Sequence, residues 1–462
     1  MNSTIDFKDQ NVIVGLGQTG QSLARYYELQ GQPYVIWDTR EHPTHYEQFK
    51  KAFPNRPLYL GDLPSNALIK SKQLIISPGV PLTHPVIKQA QQEGVKISSD
   101  INIFLKSISS QVVGITGSNG KSTVTHLVTE MAKRAGRRAW YAGNVGIPVM
   151  DLWQQHAPFK QDDIVVLELS SFQLERGDPL PLNISVILNV TPDHLDRYTH
   201  FDEYQSAKHQ IHQQSKIRLY NRQDTATIPN LSILKHVRSF GLDAPKQRYD
   251  WGIVANEHGE RCIAQGTQIL MPIHQLKLIG EHNVLNALSA LAIGSCLDLP
   301  YEAMKDTLAR FAGLPHRCQR ILYKNNIDWI NDSKATNPGS CLAALEGLVP
   351  HLNGKIVLIL GGVTKEANFN VLTDIVKKHV SNLVLLGLDT TQLWDIFHSI
   401  VPCFKVTSMK EAVKRCADLA RPGDRVLLAP ACASFDLFQH FEDRGEQFVQ
   451  YVNTLIGAER CD

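Results

Sequence analysis

The chain has 462 residues, enough for about three domains, with 43% hydrophobic and 20% charged residues and a formal net charge of +2. That is the balance of an ordinary soluble globular protein, and it removes the electrostatic case for a nucleic-acid or membrane-surface partner. No apolar run approaches the ~20 residues that span a bilayer, and the opening MNSTIDFKDQ lacks the basic start and apolar stretch of a signal peptide. Eight cysteines lie between Cys262 and Cys461 without a CxxC pair, which reads as reduced, structural thiols in a cytoplasmic protein.

The first hundred residues alternate strand and helix. Val12-Ile13-Val14 leads into GLGQTG and a helical stretch with Leu23, Ala24 and Tyr27; Tyr34 to Trp37 is a second strand ending in Asp38; Leu74-Ile75-Ile76 leads into Ser77-Pro78-Gly79. This is the rhythm of a small parallel α/β unit. Gly15, Gly17 and Gly20 in GxGxxG, with an acid about twenty residues on at Asp38, form the dinucleotide fingerprint. Three readings compete: a nicotinamide-dependent dehydrogenase, a plain tight turn, or a site for another nucleotide such as a uridine diphosphate. The dehydrogenase would leave a second nucleotide motif idle and has no hydride-transfer site elsewhere, so the third reading is favoured.

That second motif is VVGITGSNGKSTVTHLV, residues 112–128. An apolar strand gives way to a loop in which Gly117 and Gly120 allow backbone N–H groups to turn toward an anion, and a helix adds its positive end. Lys121 supplies a point charge, and the Ser122 hydroxyl can reach a magnesium ion. Val124, Leu127, Val128, Met131 and Ala135 recur at helical spacing, with Gly136 as the stop. The strict pattern GxxxxGK[ST] wants glycine at position 115, where Ile115 stands; this argues for a variant of the usual phosphate loop.

Further polar clusters each follow an apolar strand, where open α/β sheets bind ligands. Glu168 ends Ile164 to Leu167 and is placed to serve magnesium. NVTPDHLDRY, 189–198, carries His194 between two aspartates. NDSKATNPGS, 331–340, carries Asp332, Lys334 and Thr336; GGVTKEANF, 361–369, carries Lys365; and APACASFD, from 429, carries Ser434. A plain ATPase would need none of the last three. Anion-binding groups in one section and a phosphate loop in another suggest phosphoryl transfer between bound partners. Gly313 to Arg317 is the expected hinge between them.

These residues resemble the Mur ligase family of ATP-dependent amide-forming enzymes. The motifs are GLGQTG, DTR, SPG, TGSNGKST, GNVG, ELSSFQLE, NVTPDHLDRY, GEHNVLNALSA, GLPHR, NDSKATN and PACASFD, and they span most of the chain. NDSKATN and PACAS point to its D-glutamate-adding branch. The resemblance implies three α/β domains: an N-terminal Rossmann-like UDP-binding domain (1–99), a central P-loop ATPase-like domain (100–313) and a C-terminal Rossmann-like amino-acid domain (314–462). It implies a cytoplasmic ligase, expected to be monomeric, that uses ATP and Mg2+ to join D-glutamate to UDP-N-acetylmuramoyl-L-alanine for peptidoglycan, hence cell wall, cell shape and cell division.

By matching motif, the resemblance gives the UDP part to Gly15, Gly17, Gly20, Asp38, Thr39, Arg40 and Gly79, and the region of the UDP-sugar to Asn144. Gly117, Ser118, Asn119, Gly120, Lys121, Ser122 and Thr123 take the ATP phosphates, and Asn283, Asn286 and Arg317 contact ATP. Ser122, Glu168 and His194 serve magnesium, and Lys334, Thr336, Lys365, Ser434 and Phe441 form the D-glutamate site. Val363, Thr364 and Glu366 replace smaller residues expected beside Lys365. Lys208, in FDEYQSAKHQI, reads by itself as a surface lysine. The resemblance implies instead that carbon dioxide carbamylates it into a further magnesium ligand.

Overall fold

The computed structural model describes residues 7–193, 197–198, 200–230, 235–278, 280–349, 352–364 and 367–457; His194 and Lys365 lie outside them. The described residues form three sheets. The first contains Asn11–Val14 (β1), Tyr34–Asp38 (β2), Leu58–Leu60 (β3), Gln73–Ile76 (β4) and Lys96–Ser98 (β5), all parallel in the order β3-β2-β1-β4-β5. β1 and β2 are buried along their whole length, which is why they read as unbroken apolar runs.

The second sheet contains Gln111–Thr116 (β6), Ala139–Gly143 (β7), Ile164–Glu168 (β8), Ile184–Ile187 (β9), Ile217–Asn221 (β10), Val237–Phe240 (β11), Trp251–Ala255 (β12), Arg261–Gln265 (β13) and Gln268–Pro272 (β14), in the order β14-β13-β12-β11-β10-β9-β6-β8-β7. Only the β12-β13-β14 end is antiparallel. Because β9, β6, β8 and β7 are neighbours and parallel, the loops leaving their C-terminal ends lie side by side. Val124, Leu127, Val128 and Met131 of the Lys121–Arg134 helix are fully buried against this sheet, as their spacing predicts, together with Ile115. Ile115 is therefore a core strand residue, and the loop proper begins at Gly117.

The third sheet contains Gln319–Lys324 (β15), Ile327–Asn331 (β16), Ile356–Leu360 (β17), Val380–Leu386 (β18), Cys403–Val406 (β19) and Arg425–Leu428 (β20), in the order β15-β16-β20-β17-β18-β19. β15 alone is antiparallel, hairpinned onto β16. The loops after β16, β20 and β17 thus share one edge, which gathers 332–337, 429–434 and 361–364. The 311–318 segment before this sheet is irregular, with Gly313, His316 and Cys318 at positive φ.

One hydrophobic cluster runs through the first two sheets, joining Ile13, Leu16 and Leu23 to Phe104, Ala142 and Met150. The Arg25 guanidinium adds a bidentate pair to Asp151 at 2.8 and 2.7 Å. The third sheet packs in two clusters of its own. No helix among the described residues is long and apolar enough to cross a membrane.

Candidate active site

The phosphate loop is shaped by what surrounds it. Gly120 sits at φ +83°, and a Cβ there would lie 2.3 Å from Asn286 Oδ1, so neither the backbone nor the space admits a side chain. Ser118 Oγ accepts from Thr191 N–H at 3.0 Å and lies 3.0 Å from Tyr204 Oη, tying the loop to the segment after β9. The Asn119 backbone N–H donates to Asn189 Oδ1 at 2.8 Å. Thr123 is buried in the first turn of the helix.

Two lysine side chains converge on one carbonyl. Lys121 Nζ donates to Gly117 O at 2.8 Å and to Ser118 O at 3.0 Å, and Lys208 Nζ donates to the same Gly117 O at 3.0 Å. Lys208 is 2% exposed, so the surface-lysine reading is wrong: the Phe201–His209 helix turns it inward, 4.4 Å above the Tyr204 ring. Burial, then repulsion from Lys121, pushes the Lys208 amine well below its ordinary range. Burial also lowers Lys121, against attraction from Glu168 and Asp193.

Glu168 ends β8 and is 3% exposed. Its carboxylate accepts from Ser122 Oγ at 2.7 Å and from Asn144 Nδ2 at 2.9 Å. Burial works to raise this group, but Lys121, Asn144, Ser122 and Arg317 outweigh it and hold it below the ordinary carboxylate value. Asn144, given by resemblance to the UDP-sugar, is thus part of the same cluster. Arg317 Nη2 donates to Ser122 Oγ at 2.7 Å, and Asn286 Nδ2 donates to Asn283 Oδ1 at 3.1 Å. A cleft of about 330 Å3 opens over these groups, and Lys334 and Thr336 reach into it from the third sheet.

Lys334 Nζ stands 3.7 Å over the Phe441 ring, and burial, followed by repulsion from Arg317, lowers its amine to about 8. Ser434 is buried and lies on the loop after β20. Two residues near this edge carry structural weight that sequence reading left unassigned. Asp332 is buried, accepts from Cys318 N–H at 3.1 Å, and burial raises its carboxyl to about 6. Arg444 is 1% exposed. Its guanidinium donates to Ser333 Oγ (3.0 Å), Ser333 O (2.8 Å), Cys432 O (3.1 Å) and Gly361 O (3.5 Å), tying all three edge loops. An arginine inside "FEDRGEQF" carries no motif that would have announced this. Arg444→Ala leaves buried carbonyls without donors and is expected to cost about 3 kcal/mol. A denaturant midpoint equal to that of the unaltered chain would refute it.

The fingerprint glycines stand apart in the first sheet. A Cβ on Gly20 would lie 2.0 Å from Gly15 O, and Gly15 sits at φ +98° against Ser77. Both Asp38 oxygens are engaged: Oδ2 accepts from Leu16 N–H at 2.7 Å, and Arg40 donates to both. Asp38 therefore fixes the glycine turn and Arg40. Thr39 is half-buried beside it, while Gly17 and Gly79 face open space. Arg176 and Arg197 both donate to Pro78 O, bracing the Ser77-Pro78-Gly79 turn.

Three family models match along the chain. They are a Mur ligase MurD-like N-terminal domain over residues 9–99, a Mur ligase middle domain over 115–294, and a Mur ligase glutamate ligase domain over 316–432. The chain is 42% identical over 444 residues to the UDP-N-acetylmuramoylalanine--D-glutamate ligase of Pseudomonas fluorescens (strain Pf0-1), covering 96% of this chain and 98% of that protein. It is 40% identical over 446 residues to the Legionella pneumophila (strain Paris) protein of the same name, covering 96% and 99%. Among solved structures, UDP-N-acetylmuramate-alanine ligase MurC from Thermotoga maritima superposes with a TM-score of 0.60 at 20% identity, over 96% of this chain and 99% of that one. MurF ligase from the same organism, in complex with ADP, gives 0.59 at 16%, over 98% and 96%. With three matching domains in sequence and 40–42% identity across nearly its whole length, this chain belongs to the Mur ligase family.

Proposed function

We propose that the chain joins D-glutamate to UDP-N-acetylmuramoyl-L-alanine at the expense of ATP. The observation that carries this reading is the near-full-length identity to ligases of that name, on a cleft where a phosphate loop meets a lysine and a threonine from the third sheet. A carboxylate is a poor acyl donor because its oxygen leaves badly. The alanyl carboxylate oxygen attacks the γ-phosphorus, ADP departs, and an acyl phosphate remains. The amine of D-glutamate then attacks the carbonyl carbon; the C–N bond forms, the C–O bond to phosphate breaks, and the amine gives up its proton.

Lys121 and the loop N–H groups hold the phosphates in this scheme, and Arg317, Asn283 and Asn286 line the nucleotide side. Catalysis is positioning plus neutralisation of charge on the transferred group. Lys334, Thr336, Ser434 and Phe441, together with Lys365, take the amino acid. The first sheet takes the UDP.

Glu168 is a buried carboxylate whose direct donors are neutral, the Ser122 hydroxyl and the Asn144 amide. Such an oxygen set suits a hard divalent cation. Among the described residues no group of three or more His, Cys, Asp or Glu could hold a metal alone, so phosphate oxygens would complete the shell. Magnesium bound there would neutralise developing charge on the phosphoryl oxygens. Ser122, Glu168, His194 and a carbamylated Lys208 are the proposed protein ligands. In the carbamate the Lys208 nitrogen bonds the carbon of carbon dioxide and one proton leaves.

Phosphate release is expected to require both UDP-N-acetylmuramoyl-L-alanine and D-glutamate, measured against a panel of amino acids. Release without either substrate would favour a plain ATPase. Preference for another amino acid would keep the family and change the acceptor.

A further inference from the structure

The third sheet touches the phosphate loop at a point separate from the cleft-lining Lys334 and Thr336. The Pro338–Leu348 helix follows directly on the 332–337 loop and is capped by Asn337, whose Oδ1 accepts from Ser340 N–H at 2.8 Å. From this first turn Ser340 Oγ donates to Asn119 Oδ1 at 2.5 Å, and Asn337 Nδ2 donates to Asp193 Oδ2 at 3.2 Å. A Cβ on Gly339 would come within 3.4 Å of Thr191 Oγ1, so the backbone itself lies against the segment after β9. Asn119 is held on its own side by Asn189 at both ends of its backbone.

We infer that Ser340 and Asn337 are positioning residues that register the third sheet on the phosphate loop. The inference rests on the ligase reading above and deepens it. The 332–337 loop is pinned at Ser333 by Arg444 inside its own sheet and at its far end by Ser340 and Asn337 to the central sheet. Lys334 and Thr336 lie between the two pins. The distance from the incoming amine to the transferred phosphoryl group is therefore set through Ser340 and Asn119, neither of which needs to touch the amino acid. Because the amino-acid groups sit within the third sheet, losing this contact leaves the amino-acid site intact and spoils only its alignment with the phosphate.

Ser340→Ala keeps the backbone donor to Asn337 and places a better helix former in the turn, so the fold is preserved. It is expected to lower kcat roughly three- to tenfold, the worth of one hydrogen bond, with the KM values for D-glutamate and the UDP-sugar unchanged. A merely structural defect in the loop would raise the KM for D-glutamate instead. Ser340→Thr, which retains the hydroxyl, should recover most of the rate. In a cycle with Asn119→Ala, adding Ser340→Ala should cost nothing more. Unaltered kcat in Ser340→Ala, or losses that multiply in the double variant, would overturn the assignment.

Small-angle scattering with a non-hydrolysable ATP analogue separates this inference from the ligase reading. Ser340→Ala should stay more extended than the unaltered enzyme whatever the amino acid. If the unaltered enzyme shows no D-glutamate-dependent phosphate release while that difference persists, the ligase reading falls and the registration stands. If release is normal and the two profiles coincide, the registration falls.

Discussion

Lys121→Ala is expected to abolish measurable turnover, by at least about a hundred- to a thousandfold, the usual cost of removing a preorganised charge-stabilising donor. Lys121 Nζ folds back onto the Gly117 and Ser118 carbonyls of the loop, and in the proposed reaction it meets the charge of the transferred phosphoryl group. The same variant should melt no lower than the unaltered protein. Burial already disfavours the charged lysine, and Gly117 O keeps Lys208 as a donor. Phosphate release and thermal melting check the two halves. A folded Lys121→Ala enzyme with near-normal activity would remove the phosphate-loop argument altogether.

Lys208→Ala should lose most activity, and acetate should restore part of it. Burial and then Lys121 hold this amine well below its ordinary range, which favours the neutral form that carbon dioxide requires. A carbamate there would present a carboxylate beside Gly117, in the cleft that Glu168 also lines. Acetate would occupy the same position in the truncated variant. Lys208→Arg keeps the positive charge but cannot carry the carbamate, and should be as inactive as Lys208→Ala. A magnesium-bound crystal structure should show added density on Lys208 Nζ. Full activity in Lys208→Arg would show that the cation alone is needed and sink the carbamate.

Much of this site was legible because parallel strands buried on both faces write themselves as short apolar runs, and ligand loops follow their C-terminal ends. Glu168 and Lys334 were singled out that way, and Lys121 by the glycine loop that leads into it. Lys208 was not: a lysine on a nine-residue helix of low amphipathicity looks solvated until its neighbours are known, and only the resemblance pointed inward. The β10 to β14 half of the central sheet also escaped notice. Its strands are short and broken by polar or charged residues, as at Arg218 in β10 and Arg261 and Gln265 in β13, so they lack the continuous apolar signature. Arg444 and Ser340 were invisible for another reason: their partners are backbone carbonyls and a residue 221 positions away, and no local pattern encodes such contacts. Asp38 was legible as a fingerprint acid, yet its oxygens are spent on Leu16 and Arg40.

The hydrophobic cluster that runs unbroken through the first two sheets, with Arg25 clamped on Asp151, makes of them one packed frame, a stator, while the third sheet packs in clusters of its own. In the proposed reaction, the UDP-sugar and ATP both ride on the stator, so the step that makes the acyl phosphate joins two ligands whose sites share one rigid frame. In that reading only the amine comes from outside this frame. The search for reactive geometry then reduces from three bodies to one relative motion, and a substitution that loosens the stator, such as Arg25→Ala, should slow acyl phosphate formation rather than amide formation.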